Sequence, residues 1–586
     1  RYMVENSLGR LWMLNNPGSS LRERMEYYIE PDAEHEDFIR ISSPEEITLC
    51  DPACGSGHIL VYAFELLFHM YEERGYRERE IPELILTKNL AGMEIDSRAA
   101  QIAELALAMC AREHDRRFFR RGVRADVTVL SSIPLGEDEL PGNKKLAEEL
   151  SHLGEIGSLL NPSEDEIDEL KAAAASCSDD LFAATAKTKL ESAAAICEKL
   201  SRRFTCTVAN PPYMGSSSFN PFMSKWIKKN YPDVKSDLCT CFIERGFNLV
   251  EDKGYAAMVT MQSWMFLGSF EKMRAGIIDN KTIVSMAHLG PRAFDAIGGE
   301  VVNVTADVIY NDHAACEGAY VRLVDINGSE AKRLKLLEAI RNPDCGLFYR
   351  RDADTFNQIP GAPIAYWAGG GILSVFKSNP AVGTRASLQA GITTGNNDLF
   401  IRAWWEVQLS KFDRECPSIN EVKTTTCWYP CNKGGSYRKW YGNRENVMDF
   451  SVSGQLEMKK QSGFRPVSLD DQFRPSISWS DVTSDRNSFR ANGGHSLFEH
   501  AGSCAFIADD NLLPLIAYLN SSAASVMLKM INPTLNCNAG VVSRLPLLGL
   551  GEEGRISSMA ELAIELSKTD WDLLETSWDF KRSPFV

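Results

Sequence analysis

The stretch that most limits the possible folds lies near the amino terminus. Ile47-Thr48-Leu49-Cys50 reads as a short buried strand, Asp51-Pro52-Ala53-Cys54-Gly55-Ser56-Gly57 as a tight glycine turn, and His58 to Glu73 as an apolar-periodic helix. Strand, glycine turn and helix in that order bring backbone N–H groups and a helix N-terminus close to a ligand. The spacing is not Gly-x-Gly-x-x-Gly, which weakens a dinucleotide reading. No Lys-Ser/Thr follows the glycines, which argues against a phosphate loop for ATP or GTP. A tight β-to-α turn that binds nothing stays open at this point.

An α/β alternation continues from there. Leu90-Ala91-Gly92-Met93-Glu94-Ile95-Asp96 reads as a second strand ending in acid, with a helix from Ser97 to Arg112 behind it. The tip of the second strand is where doubly wound folds hold a ribose diol on a carboxylate, so Glu94 is the first candidate and Asp96 the second. A third strand, about Val123 to Leu130, leads into Ser131-Ser132, where a polar residue would reach an adenine ring. Residues 134–203 then break the rhythm: they are rich in Ala, Glu and Leu, helical in pattern, and carry an N-cap signal at Ser163-Glu164-Asp165-Glu166. They read as a helical insertion. A strand from Phe204 to Ala209 follows and delivers Asn210 at its carboxyl end, so the glycine turn, Glu94 and Asn210 are expected to converge on one edge of a sheet.

Helices at 237–251 and 268–278 and strands at 255–260, 283–288 and 301–310 are expected to complete that sheet, which ends near residue 330. The expected domains are a helical lead-in over 1–40, with one helix from Leu21 to Ile29, an α/β domain over 41–335, and a mixed domain over 360–586. The last is richer in Gly, Pro and Trp and shorter in its periodic runs. No period of 20–50 residues recurs.

The segment Val208-Ala209-Asn210-Pro211-Pro212-Tyr213-Met214 suggests the chemistry. An exocyclic amine on a nucleobase or an amide is a poor nucleophile, because its lone pair is delocalised. Two fixed acceptors, the Asn210 side-chain oxygen and the Pro211 carbonyl, would draw it toward tetrahedral geometry as it attacks a methyl group. Proline fixes φ and has no N–H, so Pro211 and Pro212 stiffen the turn and leave it presenting acceptors. Tyr213 offers a flat face for a planar substrate. The alternative is a Pro-Pro turn that merely closes a strand.

Charge and cysteine usage narrow the setting. A formal net charge of −16 argues against a generally sticky nucleic-acid binder, so basic residues would have to be concentrated on one face. The 15 cysteines form no zinc-spaced set, and reduced thiols are expected. No metal site is expected. The sequence contains no run approaching the roughly 18 apolar residues of a membrane span. The chain opens on Arg1, which fits a processed or partial sequence.

With these residues together, the chain resembles the adenine amino-methyltransferases that use S-adenosyl-L-methionine. The resemblance is carried by Asp51-Pro52-Ala53-Cys54-Gly55-Ser56-Gly57, Gly92-Met93-Glu94-Ile95-Asp96 and Asn210-Pro211-Pro212-Tyr213, in this order. Gly391 to Phe400, Ile477-Ser478-Trp479-Ser480 and Asn532-Pro533-Thr534-Leu535-Asn536 resemble the DNA-recognition region of large methyltransferases. Asp570-Trp571-Asp572 and Trp578-Asp579-Phe580-Lys581-Arg582 are similar to the methyltransferases of bacterial BREX phage-exclusion systems. The resemblance implies a Rossmann-like methyltransferase sheet followed by a mixed α/β target-recognition domain. It implies a donor held by Asp51, Ala53, Cys54, Gly55, Gly57, Glu94, Asp96 and Ser131, and a catalytic set of Asn210, Pro211, Pro212 and Tyr213. The target adenine would be flipped out of double-stranded DNA. A bacterial cytoplasmic location, other defence-system proteins as partners and no membrane association are implied with it. A Phe-Thr-Pro-like segment usually precedes the first motif in the family, and this chain begins at about the place where it would end. The family's acid after the third strand is replaced by Ser131-Ser132, and Tyr310 is the one candidate for an aromatic on the far side of the base.

DNA contacts are expected from basic–aromatic clusters. Lys225, Lys228 and Lys229 surround Trp226, and Lys433, Arg438, Lys439 and Arg444 interleave with Tyr437, Trp440 and Tyr441. A third cluster runs from Arg116 to Arg124. Competing readings are a fused restriction-modification enzyme with a nuclease elsewhere, a DNA-recognition subunit that methylates only with partners, and a protein glutamine methyltransferase.

Overall fold

The computed structural model describes residues 1–31, 37–136, 139–177, 181–294, 302–465, 467, 469–483, 486–507, 511–534, 536–549 and 553–583. The first residue of the expected 301–310 strand and Leu535 of the Asn-Pro-Thr-Leu-Asn phrase lie outside these. The chain divides into two compact units, Arg1–Thr355 and Phe356–Val586.

The first unit is built on a nine-stranded sheet. Its strands are β1 (Leu49–Asp51), β2 (Leu90–Glu94), β3 (Asp126–Val129), β4 (Phe204–Ala209), β5 (Val250–Met261), β6 (Thr282–Gly290), β7 (Val304–Tyr310), β8 (Gly318–Arg322) and β9 (Phe348–Arg351), in the order β3-β2-β1-β4-β5-β7-β6-β8-β9. The pairs from β3 through β5 are all parallel, and β7 runs against both β5 and β6. Every residue of β4 and of β7 is buried, as in a sheet covered on both faces. The sheet therefore continues two strands beyond the last expected one, β8 before and β9 after residue 330, with the helix Ser329–Arg341 between them. Those strands are short, and the half-buried Phe348–Arg351 lacks the apolar run that marks an inner strand.

The amino-terminal residues are part of this unit's core. A continuous helical run occupies Tyr2–Asn15, with Leu8, Leu11 and Trp12 at most 1% exposed. The expected helix at 21–29 is only the 3-10 segment Ser20–Arg24. What hid the true helix is its polar content. Asn6 is buried and satisfied tertiarily, donating to the carbonyls of Tyr2 (2.9 Å) and Tyr27 (2.7 Å) and accepting from the Ile29 N–H (2.8 Å). Such residues lower helix propensity until packing supplies their partners.

The insertion is helical as expected, with helices Lys144–Ser151, Leu153–Ile156, Glu164–Ser176 and Leu181–Ser201. Ser163 and Glu166 form a reciprocal capping box: the Glu166 N–H donates to Ser163 Oγ (3.2 Å) and the Ser163 N–H to Glu166 Oε2 (2.9 Å).

The second unit contains two four-stranded sheets. One joins Ser387–Gln389, Cys504–Phe506, Ser476–Trp479 and Phe489–Asn492, and the other joins Ile401–Ala403, Asn446–Asp449, Trp428–Asn432 and Leu497–Phe498. Several phrases that carried the resemblance are core here. Trp479 is fully buried and donates from Nε1 to the Cys537 carbonyl (2.6 Å), and Trp571 is 2% exposed. Among the described residues no single helix is long and apolar enough to cross a membrane.

Candidate active site

Strand register brings the predicted residues to one level. Cys50 pairs with Ala91 on β2 and with Thr207 on β4, and Ala91 pairs with Asp126 on β3. Three residues beyond that row stand Glu94, Asn210 and Val129, with Ala53 at the same count in the turn after β1. β1 lies between β2 and β4, so its turn emerges between Glu94 and Asn210. This is the switch point of an open sheet, where chains leaving adjacent strands diverge and open a crevice.

The glycine turn is shaped by two left-handed residues, Gly55 (φ 52°) and Gly57 (φ 83°). A Cβ at Gly57 would stand 2.9 Å from the Ala103 Cβ, so the helix behind β2 approaches too closely for any side chain there. At Gly55 a Cβ would meet nothing within 4 Å: the turn is open on that side. The Gly55 N–H donates to Glu94 Oε2 (2.8 Å), while the N–H groups of Ile95 and Asp96 donate to Oε1 (2.9 and 3.0 Å). Three backbone donors thus aim the Glu94 carboxylate, and Oε2 keeps a lone pair for a further donor. Asp96 is the N-cap of helix Ser97–His114, accepting from the Arg98 N–H (2.9 Å). This second ribose candidate thus also serves as a helix cap, through one of its two oxygens. Asp51 is 1% exposed and accepts from the Ala53 N–H (3.1 Å). Burial, with the Glu94 charge adding to it, pushes its pKa up to about 7 against the Ala53 hydrogen bond. Cys54 is buried, its N–H on the Met93 carbonyl (3.0 Å). Ser131 is exposed beyond β3, and its neighbour Ser132 accepts from the Gly154 N–H of the insertion (3.1 Å).

Asn210 is exposed at the end of fully buried β4, and Pro211 behind it is buried. The Tyr213 hydroxyl lies 3.3 Å from Asn210 Oδ1 and 3.2 Å from the Val259 carbonyl on β5. Burial raises its pKa, so the hydroxyl keeps its proton. Tyr213 is half-buried, and its tip is tied to the edge of the sheet, a contact the sequence did not suggest. The outgoing chain is fixed by Leu238 N–H on the Met214 carbonyl (2.9 Å) and Ser216 N–H on the Ser236 carbonyl (3.0 Å).

Tyr310 cannot face this site. It pairs with Tyr255, which pairs with Cys206, four residues before Asn210. That places it about 13 Å back along the sheet. Its hydroxyl donates to the Asp37 carbonyl (2.6 Å).

The two basic clusters differ in kind. On helix Pro221–Asn230, Lys225, Lys228 and Lys229 are exposed, while Trp226 is 7% exposed and donates from Nε1 to Glu149 Oε1 (2.8 Å), so this tryptophan is core and not a DNA platform. In the second unit, Arg438 pairs with Asp570 (3.3 Å) and covers the Trp571 ring at 5.0 Å. Lys439 donates to the Asn520 carbonyl (2.7 Å), and Arg444 lies over Tyr441 and Trp578 at 5.4 and 5.2 Å. Trp440 packs at the edge of the core and exchanges backbone hydrogen bonds with Phe489 and Ala491. Lys433 is half-buried and Tyr437 exposed.

Parallel strands with a reversed β7, a glycine turn and an acid-tipped β2 define the α/β fold of S-adenosylmethionine-dependent methyltransferases. Residues 88–294 match the Eco57I restriction-modification methylase family. Over its full length the chain is similar to curated adenine-specific methyltransferases. It is 36% identical to the adenine-specific methyltransferase BrxX of Escherichia coli O9:H4 (strain HS), matching over 100% of this chain and 51% of that protein. It is 35% identical to the adenine-specific methyltransferase PglX of Lacticaseibacillus casei (strain Zhang), over 99% and 51%. The chain thus spans about half the length of these curated relatives. In fold it is similar to the Type IIL restriction-modification enzyme MmeI in complex with DNA, with a TM-score of 0.55 at 13% identity over 99% of this chain and 72% of that one. It is also similar to a nuclease-deletion mutant of the Type ISP enzyme LlaGI in complex with a DNA substrate mimic, with a TM-score of 0.51 at 12% identity over 89% and 44%.

Proposed function

We propose that this chain methylates the exocyclic N6 amine of adenine in double-stranded DNA at a specific sequence, with S-adenosyl-L-methionine as donor. The observation that carries the proposal is the shared level of Glu94, the glycine turn and Asn210 at the switch point. The turn and the β2 tip fit the donor: Gly55 leaves open space, and Glu94 has an oriented oxygen for a ribose diol. When bound, the donor supplies a methyl group activated on a positively charged sulfur, a charge suited to the acidic Asp51 and Glu94. Asn210 Oδ1 and the Pro211 carbonyl accept the two hydrogens of the target amine, and the Tyr213 ring supports the base, which is flipped from the duplex. The amine bonds to the methyl carbon while the carbon–sulfur bond breaks and its electron pair stays on sulfur. The surplus amine proton leaves to solvent, and rate comes from alignment of amine and methyl group. The exposed Lys225, Lys228 and Lys229, on the helix that follows the catalytic loop, bind phosphates. The second unit reads the DNA target, with Lys433 its most available basic candidate in the predicted cluster. The names of the two curated relatives and the carboxyl-terminal phrases support a place in a BREX-type phage-defence system, with other defence proteins as partners in a bacterial cytoplasm.

The test is transfer of labelled methyl from the donor to bacterial DNA, beside an Asn210→Ala variant. Label is expected in adenine and is expected to fall roughly 10²–10³-fold in the variant, with donor binding unchanged. Label in protein instead of DNA would overturn the assignment.

A further inference from the structure

The helical insertion braces the donor turn, and one buried arginine ties the two together. Arg245, on helix Leu238–Leu249, is 1% exposed. Its guanidinium meets three acceptors, and all three belong to the insertion. Nε donates to the Ser158 carbonyl (2.7 Å), Nη1 to Asn161 Oδ1 (2.6 Å) and Nη2 to the Leu200 carbonyl. No carboxylate is among them. Burial accordingly lowers the Arg245 pKa to about 10, with Tyr231 and Cys50 opposing the shift. A buried guanidinium satisfied only by neutral oxygens is costly, and its geometry is fixed by the three bonds that offset the cost.

What Arg245 holds in turn reaches the site. Ser158 is 2% exposed and donates from Oγ to the Pro52 carbonyl (2.5 Å), inside the glycine turn. The same stretch of the insertion meets the neighbouring strand ends. The Gly154 N–H donates to Ser132 Oγ after β3, and the ideal Cβ position at Gly157 lies 3.1 Å from Ile95 after β2. From behind, the Tyr231 hydroxyl donates to the Leu159 carbonyl (2.6 Å). On its outer side the insertion reaches the segment that follows the catalytic loop, where His152 stacks on Phe222 at 3.7 Å and Asn220 donates to Glu155. Residues 154–159 therefore cross the ends of β3, β2 and β1 as a strap, anchored on Arg245 and Tyr231.

We propose that Arg245 is a positioning residue for the methyl donor, acting through Ser158 on Pro52 to set the glycine turn. This deepens the functional reading above, since it takes that turn as the donor site. Ser158→Ala removes one hydroxyl and leaves the Arg245 contacts to the backbone intact. It is expected to weaken S-adenosylmethionine binding by about five- to tenfold, the worth of one buried hydrogen bond. KM for the donor rises with it, while kcat and KM for DNA change less than about twofold. Arg245→Lys is expected to weaken donor binding to a similar extent, and the double variant to be no worse than the weaker single, because both act along one path.

Calorimetric titration of the full chain with S-adenosylmethionine, beside thermal unfolding, decides it. A Glu94→Ala variant runs in parallel. If Glu94→Ala loses binding but Ser158→Ala binds as the parent does, the positioning role is overturned and the donor site stands. If Glu94→Ala binds normally, the donor site itself is misassigned. Additive losses in the double variant would also overturn the path from Arg245 through Ser158. Should Arg245→Lys fail to fold, Ser158→Ala alone, with its KM-against-kcat split, still decides.

Discussion

In sequence, the carboxyl edge of the first unit's sheet and the basic–aromatic segment of the second unit are alike: each is a short stretch dense in residues that could bind something. They behave differently in the fold. At the sheet edge, strand register aligns Glu94 and Asn210 outward on one row, because a parallel sheet leaves its strand ends on one side. In the segment from Lys433 to Arg444, three cations are drawn inward: Arg438 to Asp570 and Trp571, Lys439 to a carbonyl, Arg444 between two rings. A motif placed by backbone geometry keeps its alignment in the fold. A cluster defined only by composition does not say which way its side chains turn.

The sharpest way to break this contrast is to compare the two clusters on DNA. Alanine at Lys225, Lys228 and Lys229 together is expected to weaken DNA binding roughly 10- to 100-fold and to lower the salt slope by about 2.7. Titrations at several salt concentrations check this. An unchanged slope would remove these lysines from the DNA path. A smaller effect, of another type, is expected at Arg438→Ala. Loss of a half-exposed ion pair and a ring contact destabilises the second unit by about 1 kcal/mol, read by denaturant unfolding, with the salt slope unaltered. A slope that falls there too would return that segment to the DNA surface.

A pH-dependent effect belongs to Asp51. Its carboxyl is held at about 7 in the fold, against an ordinary value near 4. Over that interval the folded state binds the proton that the unfolded state has released. The associated stability is therefore present at low pH and lost as pH rises from about 4 through about 7. Thermal unfolding of the donor-free protein across this window is expected to show the decline, and Asp51→Asn to remove that part of it. A parallel decline in the variant would place the titration elsewhere.

How much was legible follows the same division. The order of β1 to β5, the helices behind them, the insertion and its capping box could be read because hydrophobic period and cap chemistry are local. So could the level of Glu94 and Asn210, which is a consequence of parallel pairing. Tyr2–Asn15 could not, since Asn6 becomes tolerable in a helix only when Tyr27 and Ile29 arrive as partners. Tyr310 is misplaced by sequence alone because β7 runs backwards, which puts the far end of that strand away from the crevice. Arg245 gives no signal at all: one arginine in an amphipathic helix carries no mark of being buried. Trp226 and Trp440 stand among basic neighbours expected to contact DNA, yet Trp226 is buried and Trp440 packs against the core.

Gly55 and Gly57 are two residues apart, and the turn treats them as opposites. Gly57 is wedged against the Ala103 helix, whereas Gly55 borders empty space. For the donor site proposed above, this contrast maps where the turn tolerates change. The wall behind Gly57 is backbone and helix and offers no room. Beside Gly55 an added Cβ would meet no atom within 4 Å, so a larger group in the proposed donor site would meet least resistance on that side.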